Sequence, residues 1–415
     1  MLSNMSSNNK AMKNVAILNN GDGGSTGNIA KNLQRSLKER GYNSIFCYGR
    51  GKETDDDDNY RIDSNFEIRY HAFMTRLTGL QGFYSKHATK RLLSKFESWG
   101  IDTIYIVCIH GYYLNERMIY AYAASHKISL IHIMIDEYAF TGKCPYHDDC
   151  MRYMIGCGRC PHKKAYPSSH LLDGSAKVYK MKSYAYSVLK TSVFVGPKFV
   201  IDQAKKSPLF KHLQTEVLDE AIDVEIFSPR STDTLMKSLG LTDDKKIILC
   251  VVPYNGEETD RKGGKYFIEL ARKFEDDNNF VFVHVGYVNK NQENLPGNYI
   301  HVGFIKDMNL LAEYFSIGDL FVFPSLLDSM PNACLDALAC GTPLLCFNIS
   351  GMPYVANDDV GTFVEPKNVD ALVEVVGRTK KKTKDIIDTC RNYALARYDC
   401  REYNRRLIKI AENIK

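Results

Sequence analysis

Short apolar runs alternate with helix-patterned segments along this chain, and the alternation occurs twice. In the first half, residues 14–19, 44–48, 103–109, 130–135 and 192–196 are apolar runs of strand length, separated by stretches with helical spacing. Ile29, Leu33 and Leu37 recur at four-residue intervals after the first run, and Gly41 stands where such a helix would stop. Strands joined through helices pair in parallel, and helices then cover both faces of the sheet. After about residue 200 the pattern restarts, with strand-like runs at 245–252, 280–286, 299–304, 319–324 and 343–347 and helices at 264–274, 309–316 and 332–339. This is an α/β chain of two Rossmann-like, doubly wound domains facing a cleft. The expected division is 1–199 and 200–399. Residues 400–415, with Tyr403, Leu407, Ile410 and Ile414 on one helical face, are expected to pack back across the domains and return to the first.

Composition narrows the classes. The 415 residues are 44% hydrophobic and 25% charged, which is ordinary for a core-forming globular protein and excludes disorder, collagen-like and coiled-coil readings. A net charge of +5 is too mild for a dedicated nucleic-acid binder. No apolar run approaches the roughly 20 residues of a membrane-spanning helix. Residues 1–14 are polar and lack the apolar core of a signal peptide, and 12 cysteines are scattered along the chain. The expectation is a cytoplasmic enzyme with reduced thiols.

Three constellations can carry chemistry. Gly21 to Gly27 lies between a strand and a helix, where Gly23, Gly24, Ser25 and Thr26 can offer backbone donors to a phosphate or sugar. It spells neither the dinucleotide nor the P-loop fingerprint, and a plain capped turn explains it equally well. Arg261 and Lys262, followed by Gly263 and Gly264, place two cations at a helix start, which suits a diphosphate; a solvated basic turn is the alternative. Asp328 and Asp336 form an acid-x7-acid pair that opens at a strand end and runs into a helix. Two carboxylates there can accept hydrogen bonds from sugar or ribose hydroxyls, although each alone reads as a helix cap or a solvent-facing residue.

Together these stretches bring out a resemblance. Ser25–Thr26–Gly27–Asn28–Ile29, Tyr48–Gly49–Arg50–Gly51 and His110–Gly111–Tyr112–Tyr113–Leu114–Asn115 are followed in order by Ala139–Phe140–Thr141–Gly142 with its trailing cysteines. Then come Ile222–Asp223 through Phe227–Ser228–Pro229, Arg261–Lys262–Gly263, and Asp328 through Asp336–Ala337–Leu338–Ala339–Cys340–Gly341–Thr342–Pro343. Across about residues 14–365 the chain resembles the retaining GT-B glycosyltransferases of family four, more narrowly those of bacterial colanic-acid, capsule and O-antigen biosynthesis. The resemblance implies transfer of a sugar, with retention and without a catalytic metal or cofactor, from a nucleotide-diphosphate sugar to a surface glycan or lipid-linked precursor. It implies that Asp328 touches the donor sugar, Asp336 the ribose, and Arg261 and Lys262 the departing diphosphate. The glycine turn and the loop that includes Asn332 would complete the donor pocket. Asp136 and Glu137 fall on the acceptor or sugar side. Where the family pattern reads His-Asp, Ile135 precedes Asp136 here, leaving His110, His132 or Glu137 to take the histidine's place.

His110 itself ends a strand, where side chains reach a cleft, although a buried satisfied histidine fits as well. Cys144, Cys150, Cys157 and Cys160 have the count and end spacing of a structural zinc site, with two disulfides or four free thiols as alternatives. The D-x-D spelling in residues 55–58 reads as a solvated acidic loop. Residues 151–206 carry eleven Lys/Arg against Asp173 and Asp202, and 86–95 reads as a basic amphipathic helix with Phe83, Leu92, Leu93 and Phe96 available for its apolar side. Either is a candidate for docking on the inner face of the cytoplasmic membrane, beside a lipid-linked acceptor. The competing function is a catalytically weak nucleotide-sugar-binding partner of another transferase. A sugar-nucleotide epimerase would need more acid/base residues than these.

Overall fold

A computed structural model describes residues 13–53, 56–252, 261–288 and 295–414. The chain divides into two compact units, one of residues 1–218 with 404–415, the other of residues 219–403. The sequence pattern placed the division near residue 200. It falls later because residues 198–217 still belong to the first sheet, contributing the helix Lys198–Ala204 and the edge strand β7.

The first unit is built on β1 (Asn14–Gly21), β2 (Asn43–Arg50), β3 (Asn59–Arg61), β4 (Thr103–Ile106), β5 (Ser129–Ile133), β6 (Ser192–Gly196) and β7 (Gln214–Val217). They form a 7-stranded sheet in the order β3-β2-β1-β4-β5-β6-β7. Every pairing is parallel. β4 and β6 are buried from end to end, as expected of strands covered on both faces. The order reverses between β1 and β4, so the turn after β1 and the loop after β4 lie side by side at the carboxyl edge, where open α/β sheets hold their ligands.

The second unit repeats the plan with β8 (Lys246–Val251), β9 (Phe280–Val285), β10 (Tyr299–Gly303), β11 (Leu320–Phe323), β12 (Leu344–Phe347) and β13 (Gly361–Val364). Their order is β10-β9-β8-β11-β12-β13 in a 6-stranded parallel sheet. The reversal falls between β8 and β11. It brings the basic turn 261–263 and the loop holding Asp328 to one edge.

The final helix, Cys400–Asn413, belongs from Asn404 onward with the first unit, where Asn404 donates to Ser36 Oγ (3.0 Å) and Glu412 accepts from Tyr42 OH. Leu407, Ile408 and Ala411 are its buried face. The helix Lys86–Trp99 turns Ala88, Thr89, Leu92 and Phe96 into the core, so most of the apolar side expected to meet a membrane is spent inward. No helix among the described residues is long and apolar enough to cross a membrane.

Candidate functional site

In the second unit the site is assembled by backbone clamps. Leu326 N–H and Ser325 Oγ both donate to Arg261 O, at 2.9 and 3.1 Å, while Arg261 Nη1 donates to Leu327 O at 2.7 Å. Gly263 has φ of +73°, and a Cβ there would lie 1.8 Å from Pro324 O, so only glycine lets the basic turn press against the end of β11. That approach puts the Lys262 ammonium on Asp328 Oδ2, forming an ion pair whose carboxylate is almost covered and whose lysine is partly open. The same ammonium sits 5.6 Å from the centre of the Phe323 ring. The Asp328 backbone is fixed in turn by Gly351 N–H, which donates to its carbonyl at 2.9 Å.

The helix Asn332–Ala339 carries the second acid. Asp336 is buried, and burial holds its carboxyl well above the usual range. Three buried oxygens cluster on this stretch of chain without a hydrogen-bond partner among the described residues: Ser329 Oγ, Asn332 Oδ1 and Asp336 Oδ1. Buried polar atoms are rarely left so, and oxygens in this state can accept from the hydroxyl donors of a water or a ligand. Nothing in the sequence pointed to Ser329; its signal is burial, which only the fold provides.

In the first unit, His110 follows β4 and Asp136 follows β5. Their side chains meet at 2.8 Å (Nε2 to Oδ2), and His110 Nδ1 bonds Tyr166 OH at 3.1 Å. Burial opposes the charged imidazole, but Cys108 and Asp136 beside it outweigh that effect and hold His110 well above the ordinary histidine value. Of the three residues that could stand in for the missing histidine, His110 is therefore the one paired with Asp136. His132 is fully enclosed, bonded to Tyr120 OH at 3.4 Å, and burial pushes it down to about 3. Glu137 is buried and accepts from the backbone N–H and ring Nδ1 of His147, at 2.5 and 2.6 Å, which ties it to the cysteine-bearing segment.

Behind His110 lies a buried polar stack. The Tyr138 ring is 5.0 Å from His110, and its hydroxyl donates to Glu116. Lys182 packs 3.4 Å from the Tyr138 ring centre and donates to Thr141 O at 3.1 Å.

In the glycine turn, Gly23 caps the helix Gly24–Glu39 without a side-chain bond, and Gly23, Gly24 and Ser25 are exposed. Thr26 faces inward: its hydroxyl accepts from Asn19 Nδ2 at 3.1 Å and donates to Asn20 Oδ1 at 3.5 Å. A Cβ on Gly27 would lie 2.8 Å from the Asp22 carbonyl carbon, so the turn is also tightly packed.

The four clustered cysteines are free thiols, each half-buried. Cys157 accepts from Gly142 N–H at 3.1 Å, and Cys144 hydrogen bonds to Cys160. The one group of three metal-capable side chains with donor atoms within 4.8 Å of one another, among the described residues, is Asp148, Asp149 and His162. In the acidic loop, Asp56 accepts from Asp58 N–H and Asn59 at the surface, as a solvated turn does; Asp55 lies outside the described residues.

Two parallel, doubly wound units, the second carrying a clamped Lys262–Asp328 pair at its switch point, make up the two-domain GT-B fold. Residues 231–394 match the family described as Glycosyl transferases group 1, and the chain is a glycosyltransferase carrying that domain. It is 22% identical over 372 residues to a protein named as a colanic acid biosynthesis glycosyl transferase, WcaC, of Escherichia coli, covering 85% of this chain and 87% of that one. It is 29% identical over 197 residues, 43% of this chain and 49% of the other, to an E. coli UDP-Gal:alpha-D-GlcNAc-diphosphoundecaprenol alpha-1,3-galactosyltransferase. Its fold matches that of the Anabaena protein HepE, crystallised with UDP-glucose, with a TM-score of 0.61 at 12% identity over 95% of this chain and 98% of that one.

Proposed function

We propose that the chain transfers a sugar, with retention, from a nucleotide-diphosphate sugar to a bacterial surface glycan or its lipid-linked precursor. The observation that carries this reading is the Lys262–Asp328 pair, followed along the same stretch of chain by the unpartnered buried oxygens of Ser329, Asn332 and Asp336. A nucleotide sugar supplies what such a site lacks: hydroxyl donors for the acceptors and a diphosphate for the lysine and Arg261. Asp336 takes the ribose and Asp328 the sugar. As the glycosidic bond breaks, charge collects on the diphosphate, and Lys262 and Arg261 stabilise it without a metal. In the first unit, the His110–Asp136 pair serves the acceptor side. The relatives' names support a glycan or lipid-linked acceptor.

The purified protein incubated with a panel of UDP- and GDP-sugars should turn over one of them. NMR of the product should show the anomeric configuration of the donor preserved. Binding without turnover across the panel would instead favour a nucleotide-sugar-binding partner, and an inverted product would remove retention.

A further inference from the structure

Residues 141–174 cross the first unit with one 3₁₀ turn, Arg152–Ile155, as their regular structure. A stretch of that length without helix or strand is uncommon inside a compact domain, and something other than a ladder of backbone bonds has to fix it. Four of the chain's 12 cysteines lie in it, Cys144, Cys150, Cys157 and Cys160, all free and half-buried. The remaining cysteines, Cys400 excepted, are buried. The cluster therefore combines four thiols with access from solvent.

The backbone around these thiols is shaped for sulfur. Gly156, Cys157, Gly158 and Arg159 form a left-handed run, with φ of +108°, +59°, +93° and +48°. Side-chain-bearing residues adopt that conformation only where the surroundings hold them in it, and here the run bends the chain between Cys157 and Cys160. Amide donors meet the sulfurs. Gly142 N–H donates to Cys157 Sγ at 3.1 Å, and a Cβ on Gly142 would lie 2.9 Å from Cys157 Cβ, so this approach also requires glycine. The His162 backbone hydrogen bonds to Cys160, whose partner on the sulfur side is Cys144. Cys160 N–H is itself held by Asp173 at 2.7 Å. Next to Cys144 stands Lys143, buried without a salt bridge among the described residues. Its ammonium donates to Lys163 O and Pro167 O, at 2.7 and 2.8 Å, and interacts with the charges of Cys160, Cys144 and Asp173. Four thiolates around a divalent ion leave a surplus of negative charge, and a buried ammonium with backbone N–H donors is what offsets it.

We propose that Cys144, Cys150, Cys157 and Cys160 together hold one structural zinc ion that pins residues 141–174. Soft thiolate ligands, four in number, select zinc among the common divalent ions, and each thiol gives up its proton as its sulfur binds. With four protein ligands there is no open position, so the ion does no chemistry of its own. What it fixes is the wall beside the acceptor-side pair: Tyr166, whose hydroxyl bonds His110, and Thr141, whose carbonyl accepts from Lys182, both belong to this segment. Asp148, Asp149 and His162 form a tighter group, with donor atoms within 4.8 Å of one another, but both acids are exposed and His162 already pairs with Asp149 at 2.8 Å. The sulfurs stand wider than that group. The chain joining them is held by turns and not by a helix or strand, so binding can draw them together. The inference is independent of the transferase reading, because it concerns metal content and not turnover.

The test is elemental analysis of the full chain purified without chelator. The expected content is about one zinc per chain, released when a mercurial titrates the thiols. Cobalt(II) exchanged into the protein should show a thiolate-to-cobalt charge-transfer band. Cys157→Ser and Cys160→Ser should each lose the metal, whereas Asp149→Asn should keep it. If the serine variants do not fold, the cobalt spectrum of the unvaried protein decides, since carboxylate and imidazole ligands give no sulfur band. Stripping the zinc from the unvaried protein should open residues 144–173 to proteolysis and move the NMR resonances of His110. Zinc-free protein whose four thiols all react, an intact mass lowered by the hydrogens of a disulfide, or metal lost from Asp149→Asn but kept by the cysteine variants would each overturn the proposal.

Discussion

Lys262 and Asp328 are 66 residues apart in sequence and joined by an ion pair at the carboxyl edge of the second sheet. Each carries a proposed role toward the donor, so the contact makes them a unit: the diphosphate must share the ammonium with the carboxylate. Lys262→Ala should therefore lose about 10²–10³ in kcat/KM, the effect of removing one preset charge-stabilising donor. Asp328→Asn should lower kcat, and the double variant should lose less than the product of the two single losses, because partners in contact do not act additively. Steady-state kinetics of the three variants decides it, and strictly multiplicative losses would mean that the two side chains act apart.

Asp336 gives a prediction of opposite sign for stability and binding. Burial raises its carboxyl well above 3.8 in the folded chain. A carboxyl raised on folding binds its proton more tightly in the native state, so its cost to stability grows as pH rises above the ordinary value. Asp336→Asn should then melt higher than the unvaried protein at pH 8, with the gain shrinking toward pH 4. The same variant should bind the nucleotide more weakly, because the amide is a poorer acceptor for ribose hydroxyls. A melting point lowered equally at both pH values would show that the carboxylate has a partner in solution.

The His110–Asp136 pair titrates in the other direction. The folded-state value of His110 is raised above 6.5, so its contribution to stability is complete below the ordinary histidine pKa and is lost as pH rises through the folded value. An NMR titration should find that the His110 ring loses its proton above the ordinary histidine value of 6.5, and Asp136→Asn should lower that point. A ring that titrates at or below 6.5 in the unvaried protein would remove the pair from consideration as a charged acceptor-side group.

The sequence carries most of this fold because buried parallel strands are continuous apolar runs. The run at 192–196 coincides with β6, and that at 343–347 with β12 to within a residue. What escapes a reading by apolar runs is the sheet edges: β3 (NYR), β7 (QTEV) and β13 (GTFV) are short and half open to solvent, so their side chains carry no run to detect. Site residues follow the same logic. Gly263 and Lys262 stand out because a clamped basic turn needs both. A cavity of the first unit lined by Arg50, Arg69 and Arg76 does not, because residues scattered over 27 positions acquire a common space only when helix Asn65–Thr78 lies beside the end of β2. The segment 86–95, expected to meet a membrane, shows a related gap, since Leu92 and Phe96 of its apolar side are buried. An amphipathic pattern does not say whether its apolar face meets lipid or the protein's own core.

The buried stack behind His110 supports the last prediction. Lys182 and Glu116 are fully buried, and both touch Tyr138, one through its ring and the other through its hydroxyl. Burial lowers Lys182 to about 8 and raises Glu116, so each group is held in its charged form only by the other and by the polar groups around them. Removing one charge leaves the other enclosed, which typically costs about 3–5 kcal/mol, while replacing both with neutral groups of similar size removes the desolvation cost as well. Glu116→Gln and Lys182→Met should each lower the urea midpoint sharply, and the double variant should recover about 0.5–3 kcal/mol of the summed loss. The lysine adds a pH signature. Its folded value lies below its ordinary 10.5, so the unfolded chain holds the proton more tightly and the cost of burying the charge, full below about 8, is relieved as pH rises from there toward 10.5. Lys182→Met should abolish that alkaline gain. Because Tyr138 packs on His110, the single variants should also shift the His110 titration, a readout that loss of stability alone would leave in place. Additive losses with an unmoved His110 would mean that the stack is only a packing feature and that His110 takes its position from Asp136 and Tyr166 alone.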